Sequence, residues 1–412
     1  MLLNTTDIIH EERNEDSMIY REFDKLKLST LGFGGMRLPT DEKTKQICEE
    51  EAAQMIDYAY NNGVNFFDTA YFYLEGKSEG FIGNTLSKFP RDTWYLSNKF
   101  PGNMMDIIDD KLVMDVESIG MEKKVFNNPA EVFEYQLKNC GVDYFDFYML
   151  HNVSESTYDL YTNENIGIID YLFGEKKAGR IRHLGFSTHG RYTTIEKFLN
   201  HCDSMEFVLL QLNYLDWALQ EAGKKYDVLT KHNIPIFVME PVRGGLLASP
   251  GSEAEALLKA ARPSDTAASW AFRFLQSLPG VYIVVSGMST MHQLKENIEI
   301  FGVKSSMSEA EKAILQKIVD SMAEFVPCTD CRYCCSACPQ KLDIPMLIAL
   351  YNEASHDVSW TVTESLDMLT EDKKPQACTG CGACNQYCPQ NIDIADTMKK
   401  FYGLLKAAKK AK

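Results

Sequence analysis

The sequence predicts an α/β fold in which a parallel (β/α)8 TIM barrel is followed by a small α-helical domain. From about Phe23 to Gly302, short apolar runs of strand character alternate with amphipathic stretches of helical spacing, and eight such units follow one another. Beyond them, a cysteine-rich segment shows helical spacing between its cysteines. Eight consecutive βα units favour a closed barrel. An open doubly wound sheet is the alternative, although no GxGxxG sequence joins a strand to a helix.

The eight predicted strands are rich in β-branched and aromatic residues. Their apolar character is nearly continuous, as expected for parallel strands buried on both faces. They are LGFGG from Leu31, VNFFDTA from Val64, WYLSNKF from Trp94, YFDFYMLH from Tyr144, HLGFSTH from His183, FVLLQLNY from Phe207, IPIFVMEP from Ile234 and VYIVVSG from Val281.

Helices are predicted between these strands. Glycine or asparagine follows several of the helical stretches, as helix C-caps favour. The clearest helical stretches are 50–62, 79–89, 129–140, 220–232 and 264–278.

The domain organisation follows from these patterns. We expect a polar tail over 1–20, the barrel over 21–305, a helical connector over 306–325 and the cysteine-rich domain over 326–412. The mixed polar and apolar stretch at about 104–126, after the third strand, predicts an insertion that forms a lid or a subdomain.

The C-terminal cysteines repeat one pattern. CTDCRYCCSACP and CTGCGACNQYCP are both C-x2-C-x2-C-x3-C followed by proline, and the pattern positions account for eight of the twelve cysteines. This run is typical of bacterial-type [4Fe–4S] proteins, in which the fourth cysteine serves the other cluster of a two-cluster ferredoxin. We therefore predict an α-helical ferredoxin-like domain with two [4Fe–4S] clusters. The expected ligands are Cys328, Cys331, Cys334 and Cys388 for cluster 1, and Cys378, Cys381, Cys384 and Cys338 for cluster 2.

Disulfides and zinc are the alternatives for these cysteines. Disulfides need an oxidising compartment, whereas the acidic segment from Met1 to Ser17 lacks the basic and apolar regions of a signal peptide. Zinc sites commonly use two spaced pairs of ligands, which fits a doubled triplet less well. Cys335 is expected to be a spectator inside the first run. The remaining cysteines, which we expect to be small buried side chains, are Cys48, Cys140 and Cys202.

The balance of acidic and basic residues indicates which kinds of macromolecule the protein is not expected to bind. Acidic residues outnumber basic ones by 58 to 42, which gives a formal net charge of −16. This balance argues against binding to nucleic acid or to an anionic membrane surface as the main activity. No apolar run approaches the roughly 18 residues of a membrane span. We therefore expect a cytoplasmic protein.

Four polar residues fall at or just after the carboxyl ends of predicted strands, where barrel enzymes place their chemistry. Asp68 follows the second strand and Tyr73 lies in the loop beyond it, while Lys99 and His151 end the third and fourth strands. A phenol can donate a proton to a carbonyl oxygen, but its unperturbed pKa of about 10 needs lowering. A buried lysine held by an aspartate can lower that pKa through its positive charge. The group is suited to adding a hydride to a C=O bond.

These residues carry a family resemblance over about 23–305. FFDTAYFYLEGKSEGFIG resembles the DTAxxY signature of the aldo/keto reductases, LSNKF resembles the strand that bears their lysine, and FYMLHN resembles their histidine strand. The resemblance implies that Tyr73 is the general acid, that Lys99 and Asp68 tune it, and that His151 positions the substrate. With its cysteine-rich domain, the chain resembles the iron–sulfur-containing branch of that family.

The resemblance also implies a nicotinamide site. FSTHG and LLQLNY resemble the segments that hold the nicotinamide amide, MEPVRGG stands at the pyrophosphate loop, and SGMSTMHQLKEN resembles the adenosine-binding end. Met239 replaces the usual stacking tyrosine, and Gly287 and Gln293 replace basic residues that grip a 2′-phosphate, so NADH and NADPH both stay open. The implied contact residues are Ser187, Gln211, Arg243, Gly244, Glu296 and Asn297.

Three hypotheses for the function follow, because nicotinamide moves a hydride whereas cubane clusters move single electrons. In the first, the barrel reduces a small carbonyl substrate or oxidises an alcohol with NAD(P)H, and the clusters exchange electrons with a carrier protein such as ferredoxin or flavodoxin, or are structural. In the second, the clusters deliver electrons to the substrate without nicotinamide while Tyr73 supplies the proton. In the third, a barrel scaffold carries clusters that sense oxygen or redox state. The complete tetrad argues against the third hypothesis, and the several nicotinamide-type segments favour the first.

Overall fold

Eight parallel strands close into a barrel in the computed structural model, which describes residues 18–41, 43–114, 121–322, 326, 328, 332–388 and 392–411. In chain order the strands are β1 (Tyr20–Phe23), β2 (Leu26–Ser29), β3 (Leu31–Gly34), β4 (Phe66–Asp68), β5 (Tyr95–Phe100), β6 (Met105–Ile108), β7 (Lys111–Met114), β8 (Lys124–Phe126), β9 (Phe145–Leu150), β10 (Ile181–Thr188), β11 (Val208–Gln211), β12 (Ile236–Met239) and β13 (Val281–Gly287).

The barrel is formed by β3, β4, β5 and β9 to β13, in that order around the circle, with β13 pairing back to β3. Seven of the eight predicted runs contain the observed strand, and β10 begins at Ile181, two residues before the run predicted from His183. The predicted TIM barrel is therefore confirmed, and the open sheet is excluded because β13 and β3 are hydrogen-bonded neighbours.

The first two strands form a hairpin that the sequence reading did not predict. β1 and β2 pair antiparallel, and Phe23 at the turn packs into the barrel interior, with its ring centroid 5.5 Å from that of Phe147 and 5.7 Å from that of Phe237. Phe66 and Phe207 belong to the same buried aromatic cluster. Full burial of one such side chain stabilises a fold by roughly 1.5–3 kcal/mol. Aromatic side chains therefore fill one end of the barrel, and the polar strand ends occupy the other.

Helices surround the barrel and continue into the C-terminal domain. In chain order they are α1 (Glu49–Asn61), α2 (Ser78–Leu86), α3 (Pro129–Cys140), α4 (Tyr158–Tyr161), α5 (Ile168–Lys177), α6 (Tyr192–His201), α7 (Asp216–Leu219), α8 (Ala222–Lys231), α9 (Ser252–Ala261), α10 (Ala267–Gln276), α11 (Met291–Phe301), α12 (Glu309–Met322), α13 (Tyr333–Ser336), α14 (Ile344–His356), α15 (Trp360–Asp367) and α16 (Ile394–Ala411). Within the described residues, no helix is long and apolar enough to cross a membrane.

The ends of helix α3 are set by capping residues in the local sequence. The side chain of Asn128 accepts a hydrogen bond from the backbone N–H of Glu131, and Pro129 occupies the first turn, where its missing N–H costs nothing. Gly141 ends the helix in the left-handed conformation with φ of 65°. The predicted bounds of this helix are confirmed.

The segment expected as an insertion, 104–126, contains an antiparallel sheet of β6, β7 and β8. Residues 115–120 within it lie outside the described residues. Met105, Leu112, Met114 and Phe126 are buried and belong to the main core of the barrel. The sheet therefore packs on the barrel through apolar side chains.

The C-terminal domain has a helical core of its own. Helices α14 and α16 pack together, with the rings of Tyr351 and Phe401 6.1 Å apart, and Leu347 and Met398 are fully buried between them. Buried Cys334 and Cys384 lie at the edge of the same cluster. The α-helical character predicted for this domain is confirmed.

Candidate active site

A buried ion pair lies at the carboxyl ends of β4 and β5. Lys99 Nζ lies 2.8 Å and 2.7 Å from the two carboxylate oxygens of Asp68 and donates a third hydrogen bond, of 2.7 Å, to the carbonyl oxygen of Thr69. Ser97 donates to Asp68 over 3.0 Å. All three ammonium protons thus have acceptors, and the charged head is locked in one position.

Burial governs the titration of this pair. Asp68 is 3% exposed and Lys99 is fully buried. Burial raises the pKa of Asp68 and lowers that of Lys99, since it disfavours the charged form of each group, and the attraction between the two charges opposes both shifts.

Tyr73 is held above this pair by a strained turn. Its backbone N–H donates to Ala70 O over 3.1 Å, and the three residues that follow, Leu74, Glu75 and Gly76, all have positive φ of 53°, 56° and 80°. Left-handed backbone is costly for a leucine or a glutamate and persists only where the surroundings impose it. The turn places the Tyr73 ring with its centroid 4.8 Å from Lys99 Nζ.

The phenol of Tyr73 is held firmly protonated. Burial raises the pKa of Tyr73 well above its usual value, and the negative charges of Asp68 and Glu240 raise it further. The expectation that Lys99 lowers this pKa is therefore wrong for the protein without bound ligands, because the charge of Lys99 is compensated by Asp68. Among the described residues, none hydrogen-bonds the half-buried Tyr73 hydroxyl, which is left available to a ligand.

His151 completes the group from the end of β9. Its ring stacks on Phe72 at 4.9 Å and 9°, and its centroid lies 6.2 Å from that of Tyr73. Burial, followed by the charge of Lys99, lowers the pKa of His151 well below its usual value, so the imidazole is neutral. Its Nδ1 is buried and has no partner among the described residues. The structure thus brings together all four side chains that the sequence places at strand ends.

A groove of about 230 Å³ runs from this group across the barrel mouth. Gly244, Glu296 and Asn297 line it, as the resemblance implies. Asn297 donates to Ser286 over 3.0 Å and Glu296 accepts from Thr266 over 2.5 Å. The other side chains and backbone that line it include Asp68, Tyr73, Met239, Glu240, Gly245, Ser286, Gly287 and Gln293.

The other implied nicotinamide contacts are already bonded within the protein. Ser187 Oγ accepts from the backbone N–H of Asn152 over 2.8 Å, and the Gln211 amide donates to Asp216 over 2.8 Å. Both lie at the mouth of the barrel, at the ends of β10 and β11.

Arg243 does not reach the groove. Its guanidinium pairs with Asp216 over 3.1 Å, and it lies 4.0 Å from Glu353 in α14 of the C-terminal domain. The expectation that Arg243 meets phosphates stays a prediction, although in this structure two acidic groups draw its side chain to the domain contact.

Arg37 and Glu240 are groove residues that the sequence reasoning missed. The Arg37 guanidinium lies 3.6 Å from the Glu240 carboxylate, and its Nη2 would lie 3.4 Å from a Cβ built on Gly244. Arg37 follows β3, so the strand-end rule that selected Asp68 could have found it. A cation beside glycines of positive φ, in the groove that Tyr73 also lines, fits the pyrophosphate of a dinucleotide.

The two cysteine runs form the second constellation. Buried Cys384 has neighbouring thiols on Cys338, Cys378 and Cys381, and its pKa is raised to about 11, first by burial and then by these thiols. One cysteine of the first run thus stands with three of the second. Helix α13, which contains Cys334 and Cys335, packs against the turn at Asn385–Tyr387.

The first run is described only in part, because Cys331 lies outside the described residues. Burial, together with Cys335 and Cys328, raises the pKa of Cys334 to about 12. Among the described residues, no three metal-ligating side chains converge on a point suited to a single ion. A cubane spaces its thiolates at separate corners, so a grouping of four thiols around a small volume suits it.

Comparison with known proteins agrees with both the group around Tyr73 and the two cysteine runs. The model of the aldo/keto reductase family matches residues 30–320, and that of a 4Fe-4S dicluster domain matches residues 327–392. The second match supports iron–sulfur clusters over the zinc and disulfide alternatives.

Curated relatives match across the barrel. The chain is 24% identical over 310 residues to the uncharacterized oxidoreductase YqkF of Bacillus subtilis, covering 70% of this chain and 92% of the relative. It is 22% identical over 329 residues to the NADH-specific methylglyoxal reductase of Escherichia coli, covering 72% and 95%. It is 23% identical over 321 residues to the L-galactose dehydrogenase of Arabidopsis thaliana, covering 71% and 92%.

Solved structures show the same barrel. Aldo-keto reductase AKR11C1 from Bacillus halodurans, in its holo form, superposes with a TM-score of 0.56 at 25% identity, covering 73% of this chain and 96% of that one. The thermostable aldo-keto reductase Tm1743 also superposes with a TM-score of 0.56, at 19% identity, covering 73% and 100%.

Proposed function

The chain belongs to the aldo/keto reductase family, and from that premise we propose that it reduces a small carbonyl compound, or oxidises the corresponding alcohol, with NAD(P)H in the barrel groove. It further carries electrons through two [4Fe–4S] clusters in the C-terminal domain. The observation that carries the proposal is the position of Tyr73. Its side chain lines the groove, and its ring lies above the buried Lys99–Asp68 pair.

The side chains divide the chemistry of carbonyl reduction among them. Bound NAD(P)H would supply a hydride to the carbonyl carbon. Tyr73 gives its proton to the carbonyl oxygen, which becomes the hydroxyl of the alcohol, and solvent then reprotonates the phenolate. Lys99, 4.8 Å from the ring centroid, stabilises the negative charge that forms on the phenol. Neutral His151 donates a hydrogen bond to the carbonyl oxygen without competing for the proton.

Other residues of the groove would bind the parts of the cofactor that do not react, the pyrophosphate and the adenosine. Arg37 pairs with the pyrophosphate, and the backbone at Gly244 permits its close approach. Glu296 and Asn297, which also line the groove, would contact the adenosine. The names of the Escherichia coli and Arabidopsis thaliana relatives, a methylglyoxal reductase and a galactose dehydrogenase, support a small carbonyl or alcohol as substrate.

The clusters would be held by the two cysteine quartets. Cys338 with Cys378, Cys381 and Cys384 holds one cluster, which the proximity of these four thiols supports. Cys381 is exposed, so this cluster is open to an electron-carrier protein such as a ferredoxin or a flavodoxin.

A second candidate is reduction without nicotinamide, driven by a reduced ferredoxin. Two electrons would pass singly from the clusters, and two protons would complete the alcohol. The ring of Trp360, in α15 of the C-terminal domain, favours this candidate because it lies 4.8 Å from that of His189, which follows β10 in the barrel. His189 in turn is close enough to His151 to influence its titration.

An anaerobic titration of the cluster-loaded protein separates the two candidates. NADH and, separately, NADPH are added while the cluster absorbance and the nicotinamide absorbance are followed. Bleaching of the clusters with matched nicotinamide oxidation supports the first candidate. Clusters that stay unbleached by nicotinamide but are bleached by a low-potential reductant support the second.

The role of Tyr73 is tested in the same protein with a carbonyl panel. Tyr73→Phe should lower nicotinamide-linked turnover by roughly 10²–10⁴-fold, the usual contribution of a general acid. Tyr71→Phe is the matched control, since that ring is buried against Tyr135, and it should retain activity. Unchanged turnover in Tyr73→Phe would refute the assignment.

A further inference from the structure

A second cavity, of about 280 Å³, lies between the barrel mouth and the C-terminal domain. We call it the interdomain cavity. The barrel lines it with the segments that follow β9, β10 and β11 together with α8, and the C-terminal domain lines it with α14 and α15. Its lining includes Ser154, His189, Arg191 and Lys225 from the barrel, and Leu350, Glu353, Glu364 and Met368 from the C-terminal domain.

The interdomain cavity contains a cation with unused hydrogen-bond donors. Lys225 is 4% exposed, and its ammonium makes one long hydrogen bond, of 3.4 Å, to His189 O. It forms no salt bridge among the described residues. Burial lowers the pKa of Lys225, and the more distant charges of Glu353, Glu155 and Asp216 oppose that shift. An ammonium has three donors, and a buried donor without an acceptor is costly.

The carboxylates that line the cavity are already engaged. Glu353 Oε1 accepts from Gln220 over 3.0 Å and from Thr361 over 2.5 Å. Glu155 accepts from the backbone of Arg191 over 2.9 Å, and Glu364 accepts from Ser156 over 2.8 Å. Glu221, the fourth carboxylate of the lining, pairs with Lys224 over 2.6 Å. Each carboxylate thus has a donor within the protein, whereas Lys225 makes only one long hydrogen bond, which suits a ligand with an anionic acceptor.

The cavity is lined by segments that flank His151. Ser154 follows His151 by three residues, and the backbone N–H of His189 donates to the side chain of Asn152, the residue after His151, over 3.0 Å. Part of the opposite wall is apolar, where Met346, Leu350 and Met368 line it. A ligand that fits has a carboxylate at Lys225, an apolar chain along the helices and a carbonyl directed to His151.

We propose that the interdomain cavity is a substrate pocket for oxo acids, in which Lys225 binds the carboxylate and the C-terminal domain supplies the wall that selects the carbon chain. This inference rests on the proposed carbonyl reduction: oxo acid, NAD(P)H and a proton give hydroxy acid and NAD(P)⁺. The C-terminal domain thereby determines specificity in addition to binding clusters.

The test compares acids with their uncharged esters on the cluster-loaded protein. The probes are 4-oxopentanoate and 6-oxoheptanoate, each against its methyl ester. The wild type should prefer at least one acid by about 10-fold or more in kcat/KM, because a hydrogen-bonded charge contributes roughly 1.5–3 kcal/mol, or 10–100-fold. Lys225→Gln should abolish the preference by raising KM for the acid more than KM for the ester.

Lys224→Gln is the matched control. Lys224 precedes Lys225 in α8 but pairs with Glu221 over 2.6 Å and is 42% exposed. This variant should keep the acid preference. Equal use of acid and ester by the wild type, or an unchanged ratio in Lys225→Gln, would overturn the proposal.

Calorimetry measures binding of the acids separately from their reduction. Failure of the pocket proposal can therefore be distinguished from failure of the proposed reduction. The acids should bind the wild type, and bind Lys225→Gln about 10–100-fold more weakly, whether or not any probe is reduced. Ala349→Phe fills the cavity from α14 and should weaken acid binding with unchanged iron content, which controls for misfolding of Lys225→Gln. If neither acid binds the wild type, the pocket assignment is wrong.

Discussion

Arg243 Nη1 lies 3.1 Å from Oδ1 of Asp216, and this pairing directs the guanidinium toward the C-terminal domain. Asp216 also accepts hydrogen bonds from Gln211 over 2.8 Å and from Asn213 over 2.7 Å, while Glu353 of α14 lies 4.0 Å from the guanidinium. A buried polar network therefore joins the end of β11 to the C-terminal domain. Because these side chains hold one another in place, Arg243 contributes in this structure to the contact between the two domains.

The two arginines near the groove should differ in their effect on dinucleotide binding. Arg37→Gln should weaken the binding of NADH or NADPH by about 10-fold, since it removes the cation beside Gly244. Arg243→Gln should leave the dissociation constant within about 2-fold and should increase proteolysis between the domains, because it leaves Asp216 without its charged partner. Fluorescence titration measures the first effect and limited proteolysis the second. A larger loss of dinucleotide affinity in Arg243→Gln than in Arg37→Gln would contradict this assignment.

The barrel and the tetrad could be predicted from the sequence because their signals are local. Eight apolar runs marked eight buried strands, and strand ends in a barrel converge, so Asp68, Lys99 and His151 had to meet. The spacing of the cysteines likewise predicts [4Fe–4S] clusters without any information on the fold. These features depend on residues close together in sequence.

Features that depend on remote partners could not be predicted. The direction of Arg243 is set by Asp216 and Glu353, which are distant in sequence, and nothing in MEPVRGG reveals them. The raised pKa of Tyr73 depends on burial and on the compensation of Lys99 by Asp68. The interdomain cavity exists only because α14 and α15 pack over the barrel mouth.

Replacing only one residue of the Lys99–Asp68 pair should lower the free energy of unfolding substantially. Lys99→Met leaves the Asp68 carboxylate buried and uncompensated, which should destabilise the barrel by about 3–5 kcal/mol. Lys99→Met combined with Asp68→Asn should recover part of that loss, since no net buried charge remains. Lys88→Met is the control: Lys88 pairs with Asp57 over 2.5 Å at the surface, and its loss should cost less than about 1 kcal/mol. Urea unfolding measures these differences, and equal costs for Lys99→Met and Lys88→Met would refute the prediction.

Iron content tests the crossed assignment of the cysteines. Cys338→Ser should lower the iron of the reconstituted protein from about eight to about four atoms per chain, because Cys338 belongs with the second run. Cys335→Ser should leave the iron content unchanged, although it alters a neighbouring thiol of the same segment. Loss of iron in Cys335→Ser with retention in Cys338→Ser would exchange the roles of the two residues.

His151 should make the fold less stable in acid. The folded protein holds His151 neutral, with its pKa well below the usual value of about 6.5, whereas the unfolded chain protonates near that value. The unfolded state therefore binds more protons below about pH 6.5. The stability that neutral His151 allows is complete above that pH and falls as the pH drops, by at most about 1.4 kcal/mol per pH unit. His151→Gln removes the titrating group and should flatten the profile between pH 5 and 6.5, while His201→Gln, at an exposed position in α6, should not. Chemical unfolding at several pH values measures the slopes, and parallel profiles for wild type and His151→Gln would show that His151 is protonated in the folded protein.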